Sequence, residues 1–451
     1  MSIAPPPQQP QTSDIAAVRL VEDARMGRFQ ILAVLVLAGV NGLDGFDAFA
    51  INFASPGLAA DWGVAKDTLG FVKSMNLIGM GLGSLFIAPF ADRFGRRPII
   101  LASTTVLAVS MLACAFVDTV LSLSIWRVIT GLGIGAMLAS ITAMSAETAN
   151  LKYRAFCVSV SATGYLVGAV LGGVVSAELL EVYSWRAIFV FGGIISAMFV
   201  PIVAWRVPET VAFLNARRRP GDLETANTTL ARMGHGVATR LGDKPLDSRA
   251  SLVKLFSGPM AWVTITVLLA YFFQIITFYY FVGWVPDILV DWSYTQADAA
   301  RILTAANLGG VVGGLTIGWL TSRLGMTAPL FVASVLGGVG VYAFSFEPRG
   351  MAALVALSTI SGFFLNSTIV MLYALMARAF PTDIRALGTG VVLGVGRAGG
   401  VLGPILGGFL FAAGLSPAAT SFWMAGGAFA CAVMVLMIAP ALRRREASSQ
   451  T

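Results

Sequence analysis

Long uninterrupted apolar runs constrain this chain more than any other feature. Twelve runs of about 20 residues follow one another between short polar turns, and about 20 apolar residues let an α-helix cross the bilayer core. The alternation of apolar and polar residues that a membrane β-strand needs is missing from these runs. Only 12% of the 451 residues are charged, against about 25% in a soluble domain. The sequence therefore predicts an all-α integral membrane protein.

The twelve predicted spans fall into two groups of six around a polar stretch. The first group comprises residues 29–53, 69–91, 99–117, 120–146, 157–180 and 187–206. The second group comprises residues 260–285, 299–320, 329–346, 351–376, 387–412 and 419–440. The predicted organisation is a disordered tail (1–28), an N-terminal six-helix bundle (29–206), a linker (207–258), a C-terminal six-helix bundle (259–440) and a second tail (441–451). The Pro- and Gln-rich start, MSIAPPPQQPQTSD, is typical of disorder and not of a signal peptide.

Basic residues predict the orientation of the chain. With the N-terminus inside, 23 of the 30 Lys and Arg residues fall on inner segments, 5 on outer segments and 2 within spans. An excess of Lys and Arg marks the cytoplasmic side of a membrane protein. Both tails and the linker are therefore expected in the cytoplasm, with the protein spanning the plasma membrane. The net charge of +7 then reflects topology and contact with the lipid bilayer, and it requires no nucleic-acid partner.

The two halves of the sequence resemble each other. FADRFGRRP after the second span corresponds to WLTSRLGMTAP after the eighth, ETANLKYRAF after the fourth corresponds to AFPTDIRALG after the tenth, and GAVLGG corresponds to GPILGG. Arg93 matches Arg323 and Arg154 matches Arg385, at nearly one offset. This pattern indicates an internal duplication, which transporters commonly use to build a substrate site between two repeats.

Two carboxylates and two guanidinium groups lie within predicted spans. Asp44 and Asp47, three residues apart, share one face of the first span, and Asn41 extends that polar stripe by one turn. Arg127 lies in the fourth span and Arg397 in the eleventh. Because one carboxylate near the bilayer centre costs roughly 2.5–3.5 kcal/mol, these groups are expected to face a cavity or one another. The alternative is that they form stabilising pairs without a role in turnover.

Several motifs resemble those of the major facilitator superfamily. GSLFIAPFADRFGRRPII resembles its loop 2–3 signature and WRVITGLGIGAML its fourth-span signature. LDGFDAFAINFASPGLAADWGV and GVGRAGGVLGPILGG resemble the first and eleventh spans of the aromatic acid:proton symporters, which import benzoate-type acids. The resemblance implies two pseudo-symmetric six-helix bundles around a central cavity and proton symport of a small organic anion by alternating access. One departure is that Ser322 precedes Arg323, where the family often has Asp.

This function would divide the intramembrane charges into two roles. A carboxylate that is alternately hydrated and paired with an arginine can bind and release a proton, so Asp44 or Asp47 is the predicted proton carrier, with Arg127 as its modulating partner. A guanidinium group binds a carboxylate through two parallel hydrogen bonds. Arg397, and after it Arg127, are therefore the predicted contacts for the anion. Asn41, in the polar stripe of Asp44 and Asp47, is a further predicted substrate contact.

Two further sets of residues are candidates for function. Aromatic and amide side chains of the second half can stack on an aromatic acid or bind a ring hydroxyl, although such residues also serve packing; they are Gln274, Tyr279, Tyr280, Asn307, Asn366 and Tyr373. Charges and a turn glycine at the inner span ends resemble the superfamily's cytoplasmic gate, although they can also be solvated surface charges; they are Asp92, Arg93, Gly95, Arg96, Arg97, Glu147, Arg154, Arg323 and Arg385.

The sequence contains few features that indicate a metalloprotein, a cofactor-binding protein or an enzyme. The three cysteines are far apart, and His235 has no partner at metal-ligand spacing, so we expect no metal and no cofactor beyond the proton gradient. No nucleophile–base constellation indicates an enzyme. Two readings on the same fold stay open: transport of a non-aromatic carboxylate such as a sialate or muconate, or export, and a non-transporting sensor. A monomer is the expected unit.

Overall fold

The structure, a computed structural model, describes residues 15–243, 252–381 and 384–448, and the side chains of residues 318, 319, 322, 386 and 441–448 are outside this description. Within these ranges the chain is helical, apart from an isolated bridge between Ala16 and Arg240. Twelve of the helices are long and apolar enough to cross a membrane. A helix satisfies its backbone hydrogen bonds internally, which a chain in lipid requires.

We number the spanning helices span 1 to span 12 in chain order. The first six are Arg28–Trp62, Lys66–Ile87, Arg96–Ala115, Val120–Thr148, Arg154–Val182 and Arg186–Arg206. The last six are Gly258–Asp291, Gln296–Leu324, Thr327–Phe344, Met351–Ala379, Arg385–Ala412 and Pro417–Ser448. Shorter helices are Ala17–Asp23, Phe90–Phe94, Val211–Arg217, Asp222–Met233 and Leu252–Leu255. The last turn of span 2, Gly83–Ile87, is a π-helix.

Every predicted span is present, and several helices continue beyond the apolar run that predicted them. Span 1 was expected to end at residue 53, but it continues through Pro56 to Trp62. Gly63 ends it with φ +61°, a left-handed conformation that favours glycine as a helix cap. Span 7 likewise continues past Pro286 to Asp291. Hydropathy measures only the part of each helix that lies in hydrocarbon, so it underestimates the helical length.

The helix contacts repeat between the halves, as a duplicated fold requires. Span 1 packs on span 5, span 2 on span 4 and span 3 on span 6; the corresponding pairs of the second half are 7 on 11, 8 on 10 and 9 on 12. Across the two bundles, span 2 contacts span 11 and span 8 contacts span 5, again as a related pair. The fold is therefore two pseudo-symmetric six-helix bundles around a central cavity.

Glycines bring spans 1 and 5 unusually close together. A methyl group at Gly164 or Gly168 would overlap the backbone of Ala38 or Gly42, and one at Gly45 would overlap the backbone of Tyr165. Small residues at such positions let membrane helices pack backbone against backbone. The glycine-rich face of span 5 is thus a packing surface.

Short helices cover one end of the N-terminal bundle, which we call the termini side; the other end is the far side. Ala17–Asp23, Val211–Arg217 and Asp222–Met233 share a small apolar core. Disorder was expected for residues 1–28, but the described part of that tail contains a helix, because its apolar residues pack against the linker; residues 1–14 lie outside the description. The described part of the linker, 207–258, also contains three helices, and span 7 begins at Gly258.

The two bundles are tied together at the far side. Lys66 of span 2 pairs with Asp291 of span 7, and Arg301 of span 8 pairs with Glu178 and Glu181 of span 5. All cross-bundle ion pairs between described residues lie in this half of the molecule. The conformation is therefore one that is closed at the far side.

Candidate functional site

Asp47 and Arg127 form a buried ion pair within the N-terminal bundle. Both side chains are 0% exposed, and a guanidinium nitrogen lies 2.6 Å from a carboxylate oxygen. The other terminal nitrogen of Arg127 donates to the backbone oxygen of Asp47 at 3.0 Å. The amide of Asn76 donates to the second carboxylate oxygen at 3.1 Å. Spans 1, 2 and 4 thus meet at the neutralised carboxylate of Asp47. Asn76 belongs to this site, although the sequence reasoning did not predict it.

Asp44 lies one turn before Asp47 and has a different environment. It is 1% exposed, and neither carboxylate oxygen has a hydrogen-bond partner within the described ranges. It lies within electrostatic range of Asp47 and of Arg397 from the opposite bundle. A charged carboxylate that is buried without a donor is costly. Asn41 is also buried, and it donates to the backbone oxygen of Ser161 at 2.8 Å.

Arg397 lies in span 11 and is the free cation of this region. It is partly exposed and makes no hydrogen bond or ion pair with any residue that the structure describes. Tyrosines from both bundles lie within electrostatic range of its guanidinium group; they are Tyr165, Tyr271 and Tyr279. Tyr373 packs against Tyr271, with ring centroids 5.9 Å apart. The arrangement is an aromatic enclosure with one positive group.

Two of these tyrosines escaped the sequence reasoning. Tyr165 lies between Gly164 and Gly168, in a glycine-rich stretch of span 5 of the kind that membrane helices use for packing. Tyr271 packs against Gly396, next to Arg397 in the sequence, where a larger residue would displace its ring. The available signal for Tyr165 was a bulky residue among glycines, whereas Tyr271, between Ala270 and Phe272, carried none.

Amide side chains of spans 7, 8 and 10 form a second polar group. Gln274 is fully buried; its amide nitrogen donates to the backbone oxygen of Leu365 at 3.3 Å, while its oxygen has no partner in the described chain. The buried amide nitrogen of Asn307 also lacks a described partner. Asn366 packs over Gly310, one turn from Asn307. Gln274 thus reaches span 10 at Leu365, and the neighbouring Asn366 reaches span 8 one turn from Asn307.

Tyr280 does not join either group. Its hydroxyl lies 2.8 Å from the hydroxyl of Ser421 in span 12, and its ring stacks on Phe411. The residue is 1% exposed in this contact between helices. It was predicted as a substrate contact, but the structure places it in the packing of the C-terminal bundle, because neighbouring tyrosines on a helix face about 100° apart.

On the termini side, the turn between spans 2 and 3 is built around a carboxylate. Arg96 pairs with Asp92 and with Glu147 of span 4, each at 3.2 Å. The backbone N–H groups of Arg96 and Arg97 donate to the carboxylate of Glu209 at 3.2 and 3.3 Å. Gly95, at φ +113°, makes the turn possible. Glu209 therefore caps the N-terminus of span 3, where the helix dipole favours an anion.

The Glu209 carboxyl is half-buried, and burial raises its pKa above the usual value. Hydrogen bonds from the backbone of Thr210, Arg96 and Arg97 act in the opposite direction. Thr210 also donates its hydroxyl to Glu147. Neither Glu209 nor Thr210 was predicted, because each lies far along the chain from the turn that it contacts.

The other predicted gate residues have separate surroundings. Arg97 donates to the backbone oxygen of Ala204 at 2.6 Å, Arg154 pairs with Glu22 at 3.0 Å, and Arg93 lies over the ring of Phe94. In the second bundle, Arg385 donates to the backbone oxygen of Phe380 at 3.3 Å. Arg323 is exposed at the end of span 8. The described network is thus centred on Arg96 in the N-terminal bundle.

Within the described ranges, no group of three or more His, Cys, Asp or Glu residues could hold a metal ion. The charged and aromatic groups gathered between the bundles are instead suited to binding an organic anion and a proton, since a guanidinium pairs with carboxylates and a carboxylate accepts a proton.

Comparison with known proteins gives the family. The model of the Major Facilitator Superfamily matches residues 37–297 and 267–451. The gallate transporter of Pseudomonas putida is 29% identical over 420 residues, which cover 92% of this chain and 93% of that protein. The 4-hydroxybenzoate transporter PcaK of Pseudomonas putida is 30% identical, covering 84% of this chain and 85% of its own length.

Solved structures agree in fold. The xylose transporter XylE from E. coli, in a partially occluded inward open conformation, matches with a TM-score of 0.71 at 18% identity. The match covers 91% of this chain and 97% of XylE. Together with the family model, which spans both bundles, these findings identify the chain as a member of the major facilitator superfamily.

Proposed function

We propose that this protein imports an aromatic carboxylate by proton symport with alternating access. The proposal rests on two opposite charges that face each other across the bundle interface without forming an ion pair. Arg397, which has no described partner, lies within electrostatic range of the Asp44 carboxylate, which has none either. Relatives named for gallate and 4-hydroxybenzoate transport support this substrate class. We place the protein in a bacterial inner membrane as a monomer, with the termini side in the cytoplasm.

The tyrosines favour an aromatic anion over an aliphatic one. Their rings offer planar apolar faces beside the Arg397 guanidinium, and aromatic pairs gain energy from stacked or edge-to-face contact. The guanidinium group can bind the substrate carboxylate through two hydrogen bonds. A ring held between tyrosines, with its carboxylate on Arg397, uses both features of the enclosure.

The amides favour a ring that carries hydroxyl groups. Gln274 offers an unpartnered acceptor and Asn307 an unpartnered donor, both buried. A buried polar group without a partner is costly, and a hydroxyl can both donate and accept. Gln274 lies one turn from Tyr271 on span 7, so it extends the aromatic enclosure into the C-terminal bundle. We propose that Gln274, Asn307 and Asn366 bind ring hydroxyls.

Proton and anion binding are coupled through Arg397. When Asp44 is charged, it attracts the guanidinium of Arg397 and repels a second carboxylate. When Asp44 is protonated, the charge of Arg397 is available to the substrate. The two ligands therefore bind together, which is the requirement for symport. Asp47 is already neutralised by Arg127, so it holds the site in place.

Uptake into proteoliposomes tests this function. An inward proton gradient is expected to drive accumulation of 4-hydroxybenzoate and gallate above the external concentration, and a protonophore is expected to abolish it. Unsubstituted benzoate is expected to compete about tenfold less well, because one hydrogen bond to a neutral group contributes about 0.5–1.5 kcal/mol. Accumulation of aliphatic acids or sugars in place of aromatic acids would contradict the proposal.

The matched control for the hydroxyl contact is Gln274→Leu. This variant is expected to reduce the preference for hydroxylated acids over benzoate and to leave the transport of benzoate itself near the wild-type rate. Equal losses for benzoate and 4-hydroxybenzoate would instead assign Gln274 to helix packing, which is the role of its hydrogen bond to Leu365.

Arg397→Gln is expected to weaken substrate affinity by about 10–100-fold, because a hydrogen bond to a charged group contributes about 1.5–3 kcal/mol. Arg397→Lys is expected to recover only part of this loss, since an ammonium group cannot bind a carboxylate in the bidentate manner. Equilibrium binding of 4-hydroxybenzoate to purified protein gives both values. A wild-type dissociation constant for Arg397→Gln would remove Arg397 from the anion site.

A further inference from the structure

A second buried ion pair lies within the seam between the bundles. Lys73 of span 2 pairs with Asp287 of span 7, and their side chains are 0% and 4% exposed. Lys73 was counted among the outer-side charges, near the start of the predicted span 69–91, but span 2 begins at Lys66, so Lys73 lies about two turns inside the helix. A charge pair at this depth requires an explanation, since burial of each charge carries a large desolvation cost.

The surroundings of the pair exclude water. The ammonium group of Lys73 donates to the backbone oxygen of Gly283 at 2.6 Å and lies 4.0 Å from the ring centroid of Trp284. The indole N–H of Trp284 donates to the backbone oxygen of Pro404 in span 11 at 3.0 Å. Asp287 accepts from the hydroxyl of Ser55 at 2.9 Å. Spans 1, 2, 7 and 11 therefore close around the two charges.

The pair differs from the other ties of the far side. Lys66–Asp291 lies nearer the helix ends and is 34% and 49% exposed, so water can solvate its charges whether or not they are joined. The Lys73–Asp287 pair has no such solvent in this conformation. Since its partners belong to different bundles, any motion that opens the far side must separate them. Separation leaves both charges without a partner unless water enters between the spans.

We propose that Lys73 and Asp287 are positioning residues of the transport cycle. Their ion pair holds the far side closed, and it separates and becomes hydrated when the protein opens to that side. The pair thereby sets the balance between the two conformations at the central site. This inference rests on the motion of the bundles and does not depend on which anion is carried.

Removing one partner is expected to open the far side. In Lys73→Met or Asp287→Leu, the remaining charge is buried without a partner, and opening lets water reach it, so the ratio of far-side-open to far-side-closed protein is expected to rise at least about tenfold. Spin–spin distances in substrate-free protein measure this ratio, with the native Cys114, Cys157 and Cys431 replaced by alanine.

Spin labels on cysteines introduced at the exposed positions Phe116 and Phe346 report on the far side. Labels introduced in the same way at Leu151 and Leu324 report on the termini side. The first distance should lengthen and the second should shorten.

The double variant Lys73→Met/Asp287→Leu is the decisive comparison. It leaves no unpaired charge in the seam, and apolar side chains can replace a buried ion pair at little cost, so both distances are expected to move from the single-variant values back toward those of the wild type. Lys66→Met, at the exposed pair, is expected to leave both distances unchanged.

Ser55→Ala removes one hydrogen-bond donor to Asp287 and is expected to shift both distances part of the way. It provides a milder variant if a single charge variant does not fold. Unchanged distances in the folded single variants, or a double variant as open as either single one, would overturn the proposal. Neither result depends on substrate.

Discussion

Asp44→Asn is expected to abolish proton-driven accumulation of the anion while preserving its exchange across the membrane. Asparagine mimics the neutral state of Asp44, so Arg397 stays available to the substrate at every pH but no proton moves with it. Proteoliposomes separate the two activities: accumulation requires an imposed proton gradient, whereas exchange requires only labelled anion on one side. Substrate binding should also lose its dependence on pH, since wild-type binding is expected to weaken as Asp44 loses its proton.

Two variants define the specificity of this effect. Asp44→Glu retains an ionisable group on the same face of span 1 and is expected to retain part of the accumulation. Asp118→Asn removes a carboxylate that is 88% exposed in its pair with Arg186, and it is expected to transport as the wild type does. If Asp44→Asn still concentrates the anion on a proton gradient, Asp44 does not carry the proton, and Asp47 is the carboxylate to examine next.

Asp47→Asn is expected to destabilise the protein strongly. The substitution leaves Arg127, which is 0% exposed, without a countercharge. Breaking a buried ion pair from one side costs about 3–5 kcal/mol, because the remaining charge stays desolvated. The expected result is a large fall in the thermal unfolding midpoint of purified protein, together with loss of transport. In contrast, the Asp44 carboxylate has no hydrogen-bond partner among the described residues, so the Asp44→Asn variant should unfold near the wild-type temperature.

The comparison that isolates the pair is Asp47→Asn/Arg127→Met. With both charges gone, the unfolding midpoint is expected to recover much of the loss, although transport is not. Breaking the exposed Arg186–Asp118 pair with Asp118→Asn should lower the midpoint far less, because solvent screens such pairs. If Asp47→Asn and Asp118→Asn had equal effects, the buried pair would not stabilise the fold as its geometry indicates.

The fold was largely predictable because lipid imposes strict rules on sequence. The twelve apolar runs had to be helices, and the paired motifs around Arg93 and Arg323 indicated the duplication that the helix contacts now show. The intramembrane charges could be recognised as candidate functional residues from the free-energy cost of placing a charge in the bilayer core. The partners of each intramembrane ion pair could not be read from the sequence, because either Asp44 or Asp47 could have reached Arg127. The position of Asn76 on span 2, beside Asp47, is a property of the packed bundle.

The charged residues that sequence reasoning missed share one cause. Glu209 reaches the turn at Arg97 across 112 residues, and Lys73 reaches Asp287 across 214. Nothing local marks such partners, since each is an ordinary charged residue in its own segment. Lys73 was further obscured because it lies near the start of the predicted span 69–91, where a charge is readily counted with the membrane surface. Partners of this kind emerge only when the bundles are packed.

The close contact between spans 1 and 5 has a consequence for how the site can change during transport. With Gly164 and Gly168 seated against the backbone of span 1, these two helices have no space to slide or rotate past each other. We therefore expect them to move as one rigid body, with Asp44 and Tyr165 at a constant separation throughout the cycle. The distance that changes is the one between this body and Arg397 in the other bundle. We therefore expect Asp44, the proposed proton carrier, to stay fixed within this body, while the approach of Arg397 from the opposite half changes its affinity for a proton.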